Sequence, residues 1–359
     1  MRISFVLSSL RLSGGERVVV EFTNRLAQRG HTVYLIAPGQ SVDLEHLPEL
    51  VANVSILESA YPRREQPGIL DHLRLALSLS RTVPACEVVV STHTPTTVSA
   101  WLAARVWQRT RLLWLHQDYE LMFANRPVER FLLRHAARWH DHVLAISDSI
   151  YEGVQQQKSA KVTLVGEGLS HAELFKPQAG HRTVEEGSKT ILYVGDSRPR
   201  KGLADFLLAS ERVYDQGHDV RLLIVSKEPL QLQTCVPFEF VHRPTIVELA
   251  DCYARCDLFV SASWGEGFGL PPLEAMACGA AVVLTDSGGV RAFARHEENC
   301  LMVPPRQPEL LAKAIEHVLT DPALADRLRR NGPPTAAQFT WSAAVDRFEQ
   351  AVLETLASP

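Results

Sequence analysis

The stretch SWGEGFGLPPLEAMACG, residues 263–279, decides the fold prediction. An apolar strand-like run, Leu258–Ser261, precedes it, and a second, Ala281–Leu284, follows it. Its two prolines suit the first turn of a helix, where a missing N–H leaves no hydrogen bond unmade. Glycines between a strand and a helix let backbone N–H groups meet phosphate oxygens. The stretch therefore predicts a strand–turn–helix–strand unit with an anion-binding turn, with Glu266 in the turn and Glu274 in the first helical turn.

Short apolar runs alternate with helical patterns on both sides of this stretch, which is typical of parallel sheets with crossover helices. The predicted strands are Ile3–Leu7, Val33–Ile36, Val88–Val90, Leu112–Leu115, Val143–Ile146, Val162–Val165, Ile191–Val194, Val220–Val225, Phe238–Val241 and the two named above. Predicted helices include Glu16–Arg29, after a Gly14-Gly15 loop, Leu203–Tyr214, and one opened by a Thr245/Glu248 capping box. A polar stretch between Lys176 and Ser188 reads as a linker. The chain therefore predicts two doubly wound sheets, with ligands at the carboxyl ends of their strands.

Length, charge and cysteine content limit the kinds of protein that this chain can be. With 359 residues, two domains are expected. A net charge of −4 gives no sign of nucleic-acid binding. No uncharged apolar run reaches the roughly 18 residues of a membrane-spanning helix. Six cysteines without disulfide-framework spacing fit a reduced, cytoplasmic setting.

Two common nucleotide motifs are missing. The GEGFG run, residues 265–269, lacks the third glycine spacing of the dinucleotide fingerprint, and the chain has no Gly-Lys dipeptide for a P-loop. Both absences weaken a dehydrogenase or NTPase interpretation.

The stretch 263–279, with seven residues between Glu266 and Glu274, closely resembles the signature of glycosyltransferase family 4. The resemblance extends to Gly14–Arg17, Arg29–Val33, Gly288–Val290 and Asn299–Pro304. It implies a retaining glycosyltransferase of the GT-B fold, with two Rossmann-like domains facing a central cleft. Residues 1–176 would form the acceptor-side domain and residues 189–340 the donor domain, with a final helix at about 341–356 returning to the first domain.

The resemblance also implies roles for individual residues. Glu274 would bind the donor ribose hydroxyls, and Glu266 would lie beside the donor sugar. Lys201 would neutralise the leaving diphosphate. The remaining implied donor contacts are a closing Gly14-Gly15 loop and the amides around Phe268, Gly269 and Leu270. His116, which follows a predicted strand, would contact the donor sugar, so the expected catalytic residues are Glu266, Lys201 and His116.

Simpler interpretations stand beside these roles. Glu274 could merely complement the helix dipole, Glu266 and Lys201 could be solvated loop residues, and His116 could be a structural histidine. Gly14-Gly15 could be an ordinary tight turn.

One position departs from the family pattern. The family usually has arginine directly after the strand-ending glycine, and here Asp196 follows Gly195. An acid there would repel a diphosphate, so Arg198 or Arg200 is expected to supply the missing cation.

Three further sequence features concern the donor sugar, metal binding and contact with a membrane. The string Gln117–Glu120 followed by Phe123 resembles the rhamnosyltransferase branch of the family, which suggests a deoxythymidine-diphosphate rhamnose donor; UDP- and GDP-sugars are the alternatives. Asp118 and Glu120 imitate a metal-binding pair, but the duplicated architecture disfavours a metal, and no cofactor is expected. Arg126–Arg138 carries four arginines at four-residue spacing, which indicates either a solvated helix face or a patch near anionic lipid.

The sequence therefore predicts a cytoplasmic transferase, with peripheral contact at the inner membrane face as one alternative. It would move a sugar to a hydroxyl of a glycan, lipid-linked or small-molecule acceptor, as in polysaccharide biosynthesis. A non-catalytic nucleotide-sugar-binding protein and a GT-B-like epimerase remain open.

Overall fold

The computed structural model describes residues 1–11, 14–43, 50–62, 69–157, 160–177 and 187–358. These residues divide into two compact units. The first comprises Met1–Gly168 and Trp341–Pro359, and the second comprises Leu169–Thr340. The middle of the predicted linker, residues 178–186, lies outside the described residues, so the junction at 176–189 stays a prediction.

The first unit contains a seven-stranded parallel sheet with the order β3-β2-β1-β4-β5-β6-β7. Its strands are β1 (Arg2–Val6), β2 (Thr32–Gly39), β3 (Val54–Pro62), β4 (Val88–Ser91), β5 (Arg111–His116), β6 (His142–Ala145) and β7 (Lys161–Leu164). Its helices are α1 (Gly14–Gln28), α2 (Ile69–Thr82), α3 (Thr97–Trp101), α4 (Pro127–His135), α5 (Asp148–Gln156) and, from the end of the chain, α11 (Trp341–Ala357). A π-helical segment, Leu102–Gln108, continues α3.

Aromatic packing joins α11 to the rest of this unit. Phe22 of α1 contacts the rings of Trp341 and Phe348, with centroids 5.2 Å apart in each pair. Phe348 also stacks on Phe5 of β1. These rings are all buried, and burying aromatic surface is a large favourable contribution to folding. The last helix is thus part of the hydrophobic core of the first unit.

The second unit contains a six-stranded parallel sheet with the order β10-β9-β8-β11-β12-β13. Its strands are β8 (Lys189–Val194), β9 (Val220–Ser226), β10 (Phe238–His242), β11 (Leu258–Ser261), β12 (Ala281–Thr285) and β13 (Leu301–Val303). Its helices are α6 (Leu203–Asp215), α7 (Ile246–Arg255), α8 (Leu270–Ala277), α9 (Pro308–Thr320) and α10 (Pro322–Ala336). The predicted capping box opens α7: Thr245 accepts from the Glu248 amide, and Glu248 accepts from the Thr245 amide.

These two sheets confirm the predicted two-domain parallel α/β architecture. Three local predictions differ. Strands β3 and β13 and helices α2, α3, α5, α9 and α10 were not individually predicted, and Gly14-Gly15 opens α1 rather than forming a loop before it. Glu274 lies in the second turn of α8, because that helix begins at Leu270.

Candidate functional site

Each sheet reverses its strand order at one point, and the candidate residues of each unit follow the strands at that point. In the second unit the reversal lies between β8 and β11. Arg198–Lys201 follow β8, and the Gly265–Gly269 turn follows β11. Loops at such a reversal diverge and leave a crevice, which is where open α/β sheets bind ligands.

The Gly265–Gly269 turn is held by close backbone packing. A Cβ on Gly289 would lie 2.5 Å from the carbonyl carbon of Gly267, so only glycine fits beneath the turn. Gly269 has φ +102° and serves as the N-cap of α8. The prolines Pro271 and Pro272 occupy the first turn of that helix, as predicted. The turn therefore points the amino end of α8 toward the reversal point.

Glu266 forms an ion pair with Lys201 inside this turn. Lys201 Nζ donates to Glu266 Oε1 over 2.7 Å, and Arg200 Nη1 lies 3.9 Å from Glu266 Oε2. All three side chains are mostly buried. Burial alone would raise the pKa of Glu266, but the charges of Lys201 and Arg200 hold that pKa below its ordinary value. The site thus contains an ionised carboxylate with two cations beside it, so the solvated-loop interpretation of Glu266 and Lys201 is wrong.

Backbone geometry fixes Lys201. Pro199–Lys201 form one 3-10 turn that ends at Gly202, which has φ +68°. A Cβ on Gly202 would lie 1.9 Å from the carbonyl oxygen of Ala262. Tyr193 Oη donates to the Lys201 carbonyl over 3.0 Å. The turn therefore packs directly on the chain that follows β11, which places Lys201 against Glu266.

Asp196 pairs with Arg198. Arg198 Nε donates to Asp196 Oδ1 over 2.8 Å, and Nη2 donates to Oδ2 over 2.5 Å. Burial would raise the pKa of Asp196, but the hydrogen bonds and charge of Arg198 lower it below its ordinary value. The acid predicted to repel a diphosphate is therefore neutralised by its neighbour, while about half of the Arg198 side chain stays exposed.

Glu274 is buried in α8 and accepts a 2.9 Å hydrogen bond from Tyr253 Oη. Burial, and then the Glu274 charge, raise the pKa of Tyr253 well above its usual value, so Tyr253 stays a donor. Because Glu274 lies beyond the first turn, it is not a simple complement to the helix dipole.

The Phe268 side chain turns inward and packs against Phe293 and Phe339, so its backbone is the part available to a ligand.

A second cluster lies in the first unit, where the order reverses between β1 and β4. His93 Nδ1 lies 3.0 Å from Asp118 Oδ1, and His93 Nε2 lies 4.0 Å from Glu16 Oε1. A Cβ on Gly15 would lie 2.7 Å from the His93 ring. Gly15 is thus needed for α1 to begin directly over this imidazole.

Asp118 and Glu120, which imitate a metal-binding pair in the sequence, have different partners. Asp118 is fully buried; burial would raise its pKa, but His93 and the Thr94 amide lower it. Glu120 is exposed and pairs with Arg134 and Arg130. Across the described ranges, no group of three or more His, Cys, Asp or Glu side chains is arranged to hold a metal ion.

His116 ends β5, and its ring is buried. It stacks on Trp114 with centroids 4.0 Å apart, and among the described residues its Nδ1 has no hydrogen-bond partner. Burial lowers the pKa of His116 to about 4. Any contact that His116 makes with a ligand near neutral pH is therefore made by the uncharged imidazole.

This burial predicts a pH dependence of stability. A histidine whose pKa is lower in the folded protein binds fewer protons there than in the unfolded chain, so it destabilises the fold as pH falls from about 6.5 to about 4. We expect the free energy of unfolding of His116→Phe to fall by about 3 kcal/mol less than that of the wild type over this pH range. Denaturant unfolding at several pH values measures it. His317→Phe, at an exposed imidazole, is the control, and an unchanged slope for His116→Phe would contradict the expectation.

Two family models match the chain. "Glycosyltransferase Family 4" matches residues 12–173, and "Glycosyl transferases group 1" matches residues 188–321. Together they cover most of both units, including the Gly15 and Glu266 clusters. The chain belongs to glycosyltransferase family 4.

Relatives and solved structures agree with this assignment. A D-inositol 3-phosphate glycosyltransferase of Streptosporangium roseum is 24% identical over 385 residues, covering 94% of this chain and 87% of that protein. A sucrose-phosphate synthase structure from Thermosynechococcus elongatus has a TM-score of 0.84 at 20% identity, with both chains fully covered. The Anabaena HepE structure in complex with UDP-glucose has a TM-score of 0.73 at 19% identity, also with full coverage. The family 4 glycosyltransferase thus shares the GT-B fold of these proteins.

Sequence reasoning did not identify His93 in this glycosyltransferase. The available signal was its place three residues after the predicted strand Val88–Val90, close to a strand end as His116 is. No helix in the described part of the transferase is both long and apolar enough to cross a bilayer.

Proposed function

We propose that this protein is a retaining glycosyltransferase that moves a sugar from a nucleoside-diphosphate donor to an acceptor hydroxyl. The observation that carries the proposal is the Lys201–Glu266 pair, with Arg200 beside it, at the strand-order reversal of the second sheet. It combines fixed cations for a leaving diphosphate with a fixed carboxylate for the sugar.

The chemistry follows from where charge develops. Breaking the anomeric C–O bond leaves negative charge on the diphosphate and oxocarbenium character on the sugar. Lys201, Arg200 and the amino end of α8 would stabilise the first without a metal. Glu266 is held ionised by those cations and would stabilise the second or orient the donor. We assign Glu266 no nucleophilic role.

The other donor contacts complete the proposal. Glu274 would accept hydrogen bonds from the ribose hydroxyls, with Tyr253 fixing its carboxylate. The amides around Phe268, Gly269 and Leu270 would bind the pyrophosphate or sugar. Gly14 and Gly15 would allow the start of α1 to approach the donor phosphates, and His116 would contribute as a neutral imidazole. Arg198 would add a cation whose charge Asp196 partly offsets.

For the donor we propose deoxythymidine-diphosphate rhamnose, on the resemblance of Gln117–Glu120 to the rhamnosyltransferase branch. UDP-glucose is the main competitor, because the similar HepE structure contains it. The acceptor would be a glycan, a lipid-linked sugar or a small molecule, with polysaccharide biosynthesis as one setting.

A screen of purified protein against nucleotide sugars tests this proposal. We expect deoxythymidine-diphosphate rhamnose to bind more tightly by calorimetry than UDP-glucose or GDP-mannose, and transfer to continue in EDTA because side chains neutralise the diphosphate. Tighter binding of UDP-glucose would remove the donor assignment. Activity lost in EDTA and restored by Mn²⁺ or Mg²⁺ would remove the metal-free mechanism. Donor binding without any product would favour a non-catalytic binding protein, and an isomerised nucleotide sugar would favour an epimerase.

A further inference from the structure

Helix α2 carries a row of exposed leucines. Leu70, Leu73 and Leu77 are 66%, 54% and 40% exposed. Positions i, i+3 and i+7 lie on one side of a helix, so the three side chains form a continuous apolar stripe. The opposite side of α2 packs into the core through Ala76 and Leu79.

The stripe continues onto the π-helical segment that follows α3. Trp107 is 46% exposed, and its Nε1 donates to Ser80 Oγ of α2 over 3.0 Å. The Arg81 guanidinium lies 5.3 Å from the centre of the Trp107 ring. The apolar surface therefore runs from the leucines to Trp107, with an arginine against the ring.

Helix α4 also exposes apolar side chains. Val128 and Phe131 are 65% and 57% exposed. The connections through α2, α3 and α4 all run in one direction across the sheet, from β3 to β4, β5 and β6. Right-handed crossovers then place these helices on one face of the sheet, together with α5, whose β6–β7 connection runs the same way. Helix α11 packs against α1, whose β1–β2 connection runs the opposite way, so both lie on the other face.

The three segments that carry these exposed apolar side chains are rich in arginine. Residues 69–82, 94–109 and 126–138 carry two, two and four arginines, against one, none and one acid. Glu120 offsets part of the charge of Arg130 and Arg134, and Asp141 pairs with Arg105. Helix α5 adds Asp148 and Glu152 to the same face. The whole chain has a net charge of −4, so positive charge is concentrated where the apolar side chains are exposed.

We propose that this face, formed by α2, the α3–π segment and α4, docks on an anionic membrane surface. Leucine and phenylalanine side chains would enter the boundary of the acyl chains, Trp107 would lie at headgroup level, and arginines would contact lipid phosphates. A second copy of the chain fits poorly, because a symmetric contact through this face would oppose its arginines to one another. The segment Arg126–Arg138, for which the sequence left open a solvated helix face or a patch near anionic lipid, is one part of this larger face.

Vesicle flotation of the full chain tests the proposal without any donor or acceptor, so its failure is separate from failure of the proposed transfer reaction. We expect the protein to float with vesicles of equal parts phosphatidylcholine and phosphatidylglycerol at low salt, and to stay unbound with phosphatidylcholine alone. Leu73→Glu with Leu77→Glu should weaken binding at least about tenfold, since each leucine contributes apolar burial. Leu353→Glu, at an exposed leucine of α11, is the matched control and should bind as the wild type does.

A second variant separates charge from apolar contact. Arg74→Gln with Arg134→Gln should lower binding and reduce its dependence on salt, because fewer lipid charges are then neutralised. Equal binding to both vesicle types, or equal loss for the Leu353 control, would overturn the proposal. Self-association without lipid that Leu73→Glu with Leu77→Glu abolishes would assign the face to a second copy instead.

Discussion

Replacing Lys201 by alanine is expected to lower kcat/KM by about ten- to a hundredfold. Hydrogen bonds between charged groups contribute about 1.5–3 kcal/mol, and about 1.36 kcal/mol corresponds to a factor of ten in rate. A contact to the diphosphate that strengthens as the bond breaks acts on turnover rather than on ground-state binding alone. Lys201→Ala also leaves the mostly buried Glu266 without its nearest cation. Steady-state kinetics with the preferred donor measures the loss.

The two neighbouring arginines provide the comparison for this experiment. Arg200 lies against Glu266 with most of its side chain buried, whereas Arg198 is held by Asp196 and is half exposed. We therefore expect Arg200→Ala to lose about as much activity as Lys201→Ala, and Arg198→Ala to lose little. If all three variants kept wild-type kinetics, the loop would hold no diphosphate cation, and a binding protein without transfer activity would be the better description.

Gly202→Ala is expected to lower the free energy of unfolding by about 2–4 kcal/mol. The substitution forces a side chain into the left-handed region, which costs about 1 kcal/mol, and places a methyl group on the Ala262 carbonyl, which overpacking penalises by about 1–3 kcal/mol more. Denaturant unfolding measures the change.

Gly217→Ala is the matched control for this substitution. Gly217 has φ +89°, and a Cβ added there would have no other atom within 4 Å. It should therefore show only the backbone cost of about 1 kcal/mol. Equal losses for the two variants would show that the contact with Ala262 does not hold the loop.

The sequence was most informative where elements are buried on both sides. Strand β12 is fully buried, and its apolar run marks it without ambiguity. Strand β3 lies at the sheet edge with an irregular mixture of exposed and buried residues, so it has no clear period. Helix α2 was missed as well; its exposed leucines blur the division into polar and apolar sides on which a helix prediction depends.

For the candidate site, the sequence pointed to several of the residues, but it did not reveal the contacts between them. Resemblance drew attention to Lys201 and Glu266, but their direct pairing depends on the backbone approach of Gly202 to Ala262, which joins segments distant in sequence. The Asp196–Arg198 pair depends on side-chain conformation, which a one-dimensional pattern does not encode. Similarly, His93 gains significance only when folding brings Asp118 and Glu16 beside it.

The placement of α11 has a consequence for synthesis on the ribosome. Where the chain enters and leaves the second unit, the Leu169 amide donates to the Phe339 carbonyl over 2.8 Å, so that unit begins and ends at adjacent points. It is a continuous segment that can fold as soon as it has emerged. The first unit emerges earlier but lacks α11, whose Trp341 and Phe348 cover Phe22. The first unit therefore completes its core last, only after α11 has been translated.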